Sequence, residues 1–250
     1  MRLIDLSTTL SNSTSSFEPM PHQIEYIDHV TSAQRTTDMA DPALWPDGRG
    51  GAMEKVTLGT HTGTHIDAPY HYGPTSGGAP ARTVDEVPLE WFFGPGVLLD
   101  FSAKDEGEGI TEEDVRAELD RIDHQIAPGD IVLVRTDTSR LFGEPGYQQR
   151  HPGLRRSATR YLVEAGVKLI GIDAWGLDRP FRVMVQEAQA GDRDQFWESH
   201  RFGEEQEYCQ IEKLDNLDQL PSPTGFDVAA FPVKLERASG AWARVVAIVR

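Results

Sequence analysis

Hydrophobic and polar positions along this chain alternate between short apolar runs and amphipathic stretches. Leu3–Leu6 reads as a short strand with Asp5 between apolar neighbours, and Gln23–Val30 alternates with the period of two that marks a half-buried strand. The pattern is lost over 31–52, where Pro42, Pro46, Gly48, Gly50 and Gly51 predict a long surface loop. Loops of that length in compact domains serve as lids or substrate-binding loops. Met53–Leu58 resumes as a strand and runs into the polar segment His61–Tyr72. After the loop Gly73–Pro80 come an amphipathic turn around Val84–Val87, the triplet Trp91-Phe92-Phe93 and a strand over Gly96–Phe101.

Thr111, with Asp114 three residues on, forms a capping box, and Val115, Leu119 and Ile122 share one face of the helix it starts. Pro128-Gly129 turns the chain into Asp130–Thr136, a continuous apolar strand. A helix over Arg156–Ala165, ended by Gly166, and a strand over Lys168–Asp173 repeat the cycle. This alternation predicts an α/β layer. In the last third, Tyr208–Lys213, Phe226–Glu236 and Ala241–Val249 read as strands, with Ser239-Gly240 as the turn closing the final two into a hairpin. No repeat, low-complexity tract or linker divides the sequence, so the expectation is one mixed α/β domain over 1–250.

Charge narrows the function. The 250 residues carry 24 Lys+Arg against 40 Asp+Glu, a net charge of −16. The basic residues are scattered, with Arg155-Arg156 the closest pair, so neither nucleic acid nor an anionic membrane surface is an expected partner. The longest apolar runs, Val167–Ile172 and Val245–Val249, fall far short of the roughly 20 residues of a membrane helix. The start Met1–Asp5 places an acid where an export signal has its apolar core, and the single cysteine, Cys209, permits no internal disulfide. Both readings point to a cytoplasmic location, with Cys209 buried and inert.

Three of the eight histidines fall in His61-Thr-Gly-Thr-His65-Ile-Asp67-Ala-Pro-Tyr-His71. Imidazole and carboxylate are the usual ligands of zinc and manganese, and a partial protein shell leaves room for water or substrate. Gly63 and its flanking threonines disfavour helix and predict a tight loop leaving a strand, on which two side chains converge. Two neutral imidazoles and one carboxylate leave a divalent ion net positive, able to polarise a carbonyl or to acidify water. His71, with an ordinary imidazole pKa, exchanges protons near neutrality. His22, His29, His124 and His151 stand apart and are expected at the surface. Asp173 and Asp178 either line a pocket or cap a turn, and Trp45, Phe92 and Trp175 either stack on a substrate or fill the core. The sequence lacks a phosphate-binding Gly-Lys-Ser/Thr loop, a Gly-x-Ser-x-Gly elbow and a His-Glu-x-x-His helix.

The eleven-residue run matches the pattern His-x-Gly-Thr-His-x-Asp-x-Pro-x-His and resembles the metal-dependent cyclase family, which includes bacterial kynurenine formamidases, isatin hydrolases and cyclases of antibiotic clusters. Pro128-Gly129-Asp130, Gly171-Ile-Asp173 and Gln210–Leu217 extend the likeness. The resemblance implies a swivelling β/β/α fold and a homodimer or larger homo-oligomer. It also implies a first zinc or manganese ion on His61, His65 and Asp67, with His71 as the proton shuttle. Where members of the family hold a second ion, Asp67 would bridge to it, with His200 and Glu212 as the further ligands. The same site supports hydrolysis of an amide or lactam and ring closure through an enolate. The length of 31–52 and the likeness of Glu207–Lys213, Pro223–Phe226 and Phe231–Lys234 to polyketide cyclases turn the expectation to ring closure on an aromatic substrate. A third reading is a binding protein whose metal is structural, although such sites are usually closed by four Cys/His ligands.

Overall fold

Nine short strands hydrogen-bond into one curled mixed sheet in the computed structural model, which describes residues 1–18, 20–35 and 38–250. In chain order they are β1 (Arg2–Asp5), β2 (His65–Asp67), β3 (Phe93–Asp100), β4 (Ile131–Arg135), β5 (Leu169–Ile172), β6 (Cys209–Glu212), β7 (Phe226–Ala229), β8 (Gly240–Trp242) and β9 (Val246–Val249). Their order across the sheet is β1-β9-β7-β3-β4-β5-β6-β2-β8. The centre, β3 to β6, is parallel and the flanks are antiparallel. Parallel neighbours need crossover connections. Of the helices α1 (His29–Arg35), α2 (Pro69–Tyr72), α3 (Glu112–Arg121), α4 (Arg156–Glu164), α5 (Phe181–Gln189) and α6 (Glu198–Phe202), α3 and α4 lie in the connections β3–β4 and β4–β5, and α5 and α6 in that from β5 to β6.

The central strands read as continuous apolar runs because both faces are covered. Val97, Leu99, Val132, Val134, Ile170 and Ile172 pack on one side with Val115 and Leu119 of α3 and Leu162 of α4. Leu98, Ile131, Leu133, Leu169 and Ile211 pack on the other with Ile4, Leu6 and Val228, where the sheet curls over its own antiparallel flank. The period of two decides which residue joins which core. The capping box of Thr111 and Asp114 opens α3 as the sequence predicts, and Gly166, at φ +105°, follows the C-cap Ala165 of α4.

Two sequence expectations are corrected. The first part of 31–52 is not loop: α1 runs to Arg35, started by the Asp28 carboxylate accepting from the Thr31 amide at 2.7 Å, with Ala33 buried. Short 3₁₀ turns follow at Pro42–Leu44 and Pro46–Gly48, and positions 36 and 37 lie outside the described residues. The whole segment connects the strands Gln23–Ile27 and Met53–Thr57, which pair as a two-stranded antiparallel ribbon.

Nor does Ser239-Gly240 close a hairpin. β9 does pair antiparallel with β7, but Gly240 starts β8, which lies at the opposite end of the sheet against β2. A Cβ on Gly240 would stand 2.6 Å from the Ile66 carbonyl oxygen, so this glycine serves close strand approach rather than a turn. Among the described residues no helix is long and apolar enough to cross a membrane.

Candidate metal centre

The site lies where β2 pairs with β6. Residues two apart on a strand share a face, so His65 and Asp67 project together, and the antiparallel register sets Glu212 opposite His65. The loop before β2 turns at Gly63, at φ +61°, where a Cβ would meet Leu10 Cδ2 at 2.6 Å. It is tied down by two bonds: the Gly63 amide donates to Glu18 Oε1 at 2.8 Å, and the Thr64 hydroxyl donates to the Lys213 carbonyl at 2.6 Å. This brings His61 back over the strand, with its Nδ1 at 2.6 Å from Asp67 Oδ1 and its Nε2 at 2.9 Å from Ser239 Oγ. Pro69 opens the short helix α2, which carries His71. His200 comes from α6, entered through Trp197 in a left-handed conformation (φ +57°), and the Trp197 ring stacks on the His200 imidazole at 4.4 Å.

All six residues picked out in the sequence thus meet in one place. His65 Nε2 stands 3.2 Å from Asp67 Oδ1 and 3.6 Å from Glu212 Oε2, and His200 Nε2 stands 3.8 Å from both Asp67 Oδ2 and Glu212 Oε1. A nitrogen of His71 lies within 4.8 Å of the ligand atoms of His61 and Asp67, and its ring is 4.1 Å from that of His61.

Two atoms decide what this cluster can hold. His65 Nε2 and Asp67 Oδ2 are both buried, and neither has a hydrogen-bond partner among the described residues. Orphaned buried polar atoms are costly, and a nitrogen and an oxygen turned toward a second carboxylate suit a divalent cation. The nitrogens are also oriented for ligation. His65 Nδ1 donates to the Gly63 carbonyl at 2.8 Å and His200 Nδ1 to Asp178 Oδ2 at 2.5 Å, which leaves each Nε2 bare toward the cluster. His61 spends both nitrogens on protein partners, so a cation bound to it would replace one of those bonds.

The buried charges of the cluster shift one another's titration. Burial pushes the Asp67 carboxyl up, but the imidazoles of His71, His65 and His61 overcome it and hold Asp67 well below the usual carboxylate range. Glu212 is raised by burial and by the Asp67 charge. Burial lowers His71 to about 4, helped by the neighbouring imidazoles of His200, His61 and His65 against the pull of Asp67, so His71 is neutral at neutral pH.

Above the cluster opens a cavity of about 280 Å³. Trp175, Phe181, Met184 and Trp197 line it, with the more exposed Met20. No described residue of 31–52 is among those that line it.

The undecided sequence candidates now separate. Asp178 joins the site through His200, whereas Asp173 accepts bonds from Thr136 and Asp137 at the end of β4. Trp175 faces the cavity, Phe92 sits in the core, and Trp45 belongs to neither the cavity lining nor the core clusters. Cys209 is buried, as expected. His22 and His151, expected at the surface, are only 5% and 1% exposed: His22 Nε2 is 2.6 Å from the Ser11 carbonyl oxygen, and His151 Nδ1 is 2.8 Å from that of Pro152. Sequence reasoning missed Glu18, Lys213 and Ser239. Each gains its role only through partners distant along the chain, and no local pattern marks them.

The family model Cyclase, described as "Putative cyclase", matches residues 4–179, which include His61, His65, Asp67 and His71. The chain belongs to this family. Similar proteins include an isatin hydrolase of Roseibium aggregatum, 28% identical over 216 residues, covering 81% of this chain and 77% of that protein. A kynurenine formamidase of Salinibacter ruber is 28% identical over 178 residues, covering 71% of each. Among solved structures, isatin hydrolase A from Ralstonia solanacearum superposes with a TM-score of 0.75 at 29% identity, covering all of this chain and 92% of its own. This cyclase-family protein is an enzyme with a mixed α/β fold.

Proposed function

We propose that this enzyme is a metal-dependent hydrolase that opens an amide or lactam C–N bond of a small aromatic substrate. The observation that carries the reading is the pair of orphaned buried atoms, His65 Nε2 and Asp67 Oδ2, clustered with His61, His71, His200 and Glu212, which line an aromatic cavity. His65, Asp67, Glu212 and His200, with His61, would hold a divalent ion. Their nitrogen and oxygen donors suit zinc or manganese. When bound, such an ion supplies Lewis acidity toward a carbonyl oxygen and acidifies water.

The remaining work falls to the protein. Trp175 and Trp197 flank the space in which a flat ring would lie, and Asp178 holds His200 in one tautomer and one orientation. His71, neutral at working pH, accepts a proton from the attacking water as the new C–O bond forms. It returns that proton to the nitrogen as the C–N bond breaks, so the carbon gains hydroxyl and the nitrogen gains hydrogen.

Ring closure, the reading the sequence favoured, uses the same residues. Hydrolysis is supported over it by the names of the relatives and by the cavity, which at about 280 Å³ falls just below the roughly 300–1,000 Å³ of ligand pockets and suits a small substrate. A purely structural metal is disfavoured by a carboxylate-bearing set without cysteine. The test is direct: protein loaded with zinc or with manganese is incubated with isatin and with N-formylkynurenine, and ring opening or formate release is followed. Turnover of at least one, abolished by a chelator and restored by the ion, is expected. Inertness toward both, with the ion bound, would overturn the reading.

A further inference from the structure

We propose that the cavity selects an uncharged aromatic substrate, and that Glu18 and Glu187 set this selectivity by engaging the cations in its wall. The inference rests on the hydrolase reading and narrows it to neutral substrates. Among the described residues, two cations line the cavity, Lys213 and Arg179, and both are buried. Lys213 Nζ donates to Glu18 Oε2 at 2.6 Å and to the His61 carbonyl at 3.0 Å. Arg179 donates through Nη1 to Glu187 Oε1 at 2.8 Å and through Nη2 to Glu187 Oε2 at 2.5 Å, with Glu198 Oε2 at 3.8 Å.

Every positive charge in the wall therefore already has a carboxylate. With the ion bound, Asp67 and Glu212 would balance its two charges, Asp178 beside His200 is a further negative group in the wall, and the whole chain carries −16. A carboxylate brought into such a space loses its water and gains no free cation, so it is rejected by desolvation and by like charge. A neutral ring meets Trp175, Phe181, Met184 and Trp197 and loses nothing comparable. Both 28% identical relatives leave this question open, one being named for isatin, a neutral lactam, and the other for kynurenine, an amino acid.

The experiment compares oxindole with oxindole-5-carboxylate by calorimetric titration of the metal-loaded protein, and isatin with isatin-5-carboxylate by turnover. The neutral member should bind at least about tenfold more tightly than the anion, the scale of one missing charge-assisted hydrogen bond. Glu18→Gln keeps an acceptor for the Gly63 amide while removing the carboxylate on Lys213, and Glu187→Gln removes the half-exposed carboxylate that accepts both Arg179 bonds, leaving only Glu198 at 3.8 Å. Each should shift the anion-to-neutral affinity ratio several-fold toward the anion. Equal or tighter binding of the anion to the unaltered protein overturns the proposal, as do ratios unmoved in both variants or no binding of the neutral lactam. Selective binding of oxindole with no turnover of either isatin or N-formylkynurenine upholds the selectivity and refutes the hydrolase. Equal opening of both isatins does the reverse.

Discussion

His71 shows how the fold changes a residue the sequence could only name. Its imidazole would ordinarily titrate near 6.5, but burial and the surrounding rings of His200, His61 and His65 bring it to about 4, so it is a proton acceptor throughout the neutral range. His71→Asn should keep the fold and the bound ion yet lower kcat by about 10²–10⁴-fold, the usual contribution of a positioned acid–base group. Metal analysis beside steady-state kinetics checks this, and an unchanged kcat would remove the assigned role. Asp178 acts at one remove, through His200 Nδ1. Asp178→Asn should weaken ion affinity about 10–100-fold, as loss of an outer carboxylate partner does, which competition with a chromogenic chelator would measure.

At the scale of elements, the site is a matter of register. β2 offers His65 and Asp67 on one face, β6 sets Glu212 opposite, and α6 delivers His200 from the other side. The loop that carries Asp178 is seated against Gly153, where a Cβ would fall 2.3 Å from the Asp178 carbonyl carbon and 2.4 Å from the Arg179 nitrogen. Backbone cannot yield as a side chain would. Gly153→Ala should therefore cost about 1–3 kcal/mol, typical of overpacking, and weaken ion binding by displacing Asp178. Urea unfolding and ion titration of the same variant separate the two effects, and wild-type values in both would show that the loop is free to move.

For the whole molecule, buried titratable groups couple stability to pH. His151 is held neutral by burial, at about 4 against an ordinary 6.5. As pH falls, the unfolded chain takes up this proton first, so the His151 contribution to stability is intact above about 6.5 and is lost on the way down to about 4. Asp173 acts in the opposite sense: burial raises it to about 7, so its contribution is greatest at low pH and declines as pH rises toward 7. The two are told apart by difference. His151→Gln should remove a contribution that rises with pH, so the unfolding free energy of the unaltered protein minus that of the variant should increase between about pH 4 and 6.5, as read from urea unfolding at a series of pH values. Parallel curves would show that His151 is not held neutral.

Much of the site was legible along the chain because its centre is local. His61, His65, Asp67 and His71 lie on one loop, one strand and one turn of helix, and imidazole and carboxylate at that spacing have few other uses. The capping box of Thr111 and the apolar runs of β3, β4 and β5 were equally readable, since helix caps and strand burial depend on near neighbours. What followed from folding alone were the partnerships between distant residues: His200 with Asp178, Lys213 with Glu18, His61 with Ser239. These are set by sheet register and by close backbone approach, and neither leaves a periodic trace. The same reason explains the hairpin that did not form: Ser239 and Gly240 have the composition of a turn, but the space beside Ile66 admits a strand only where the Cβ is missing, and that contact is decided in three dimensions.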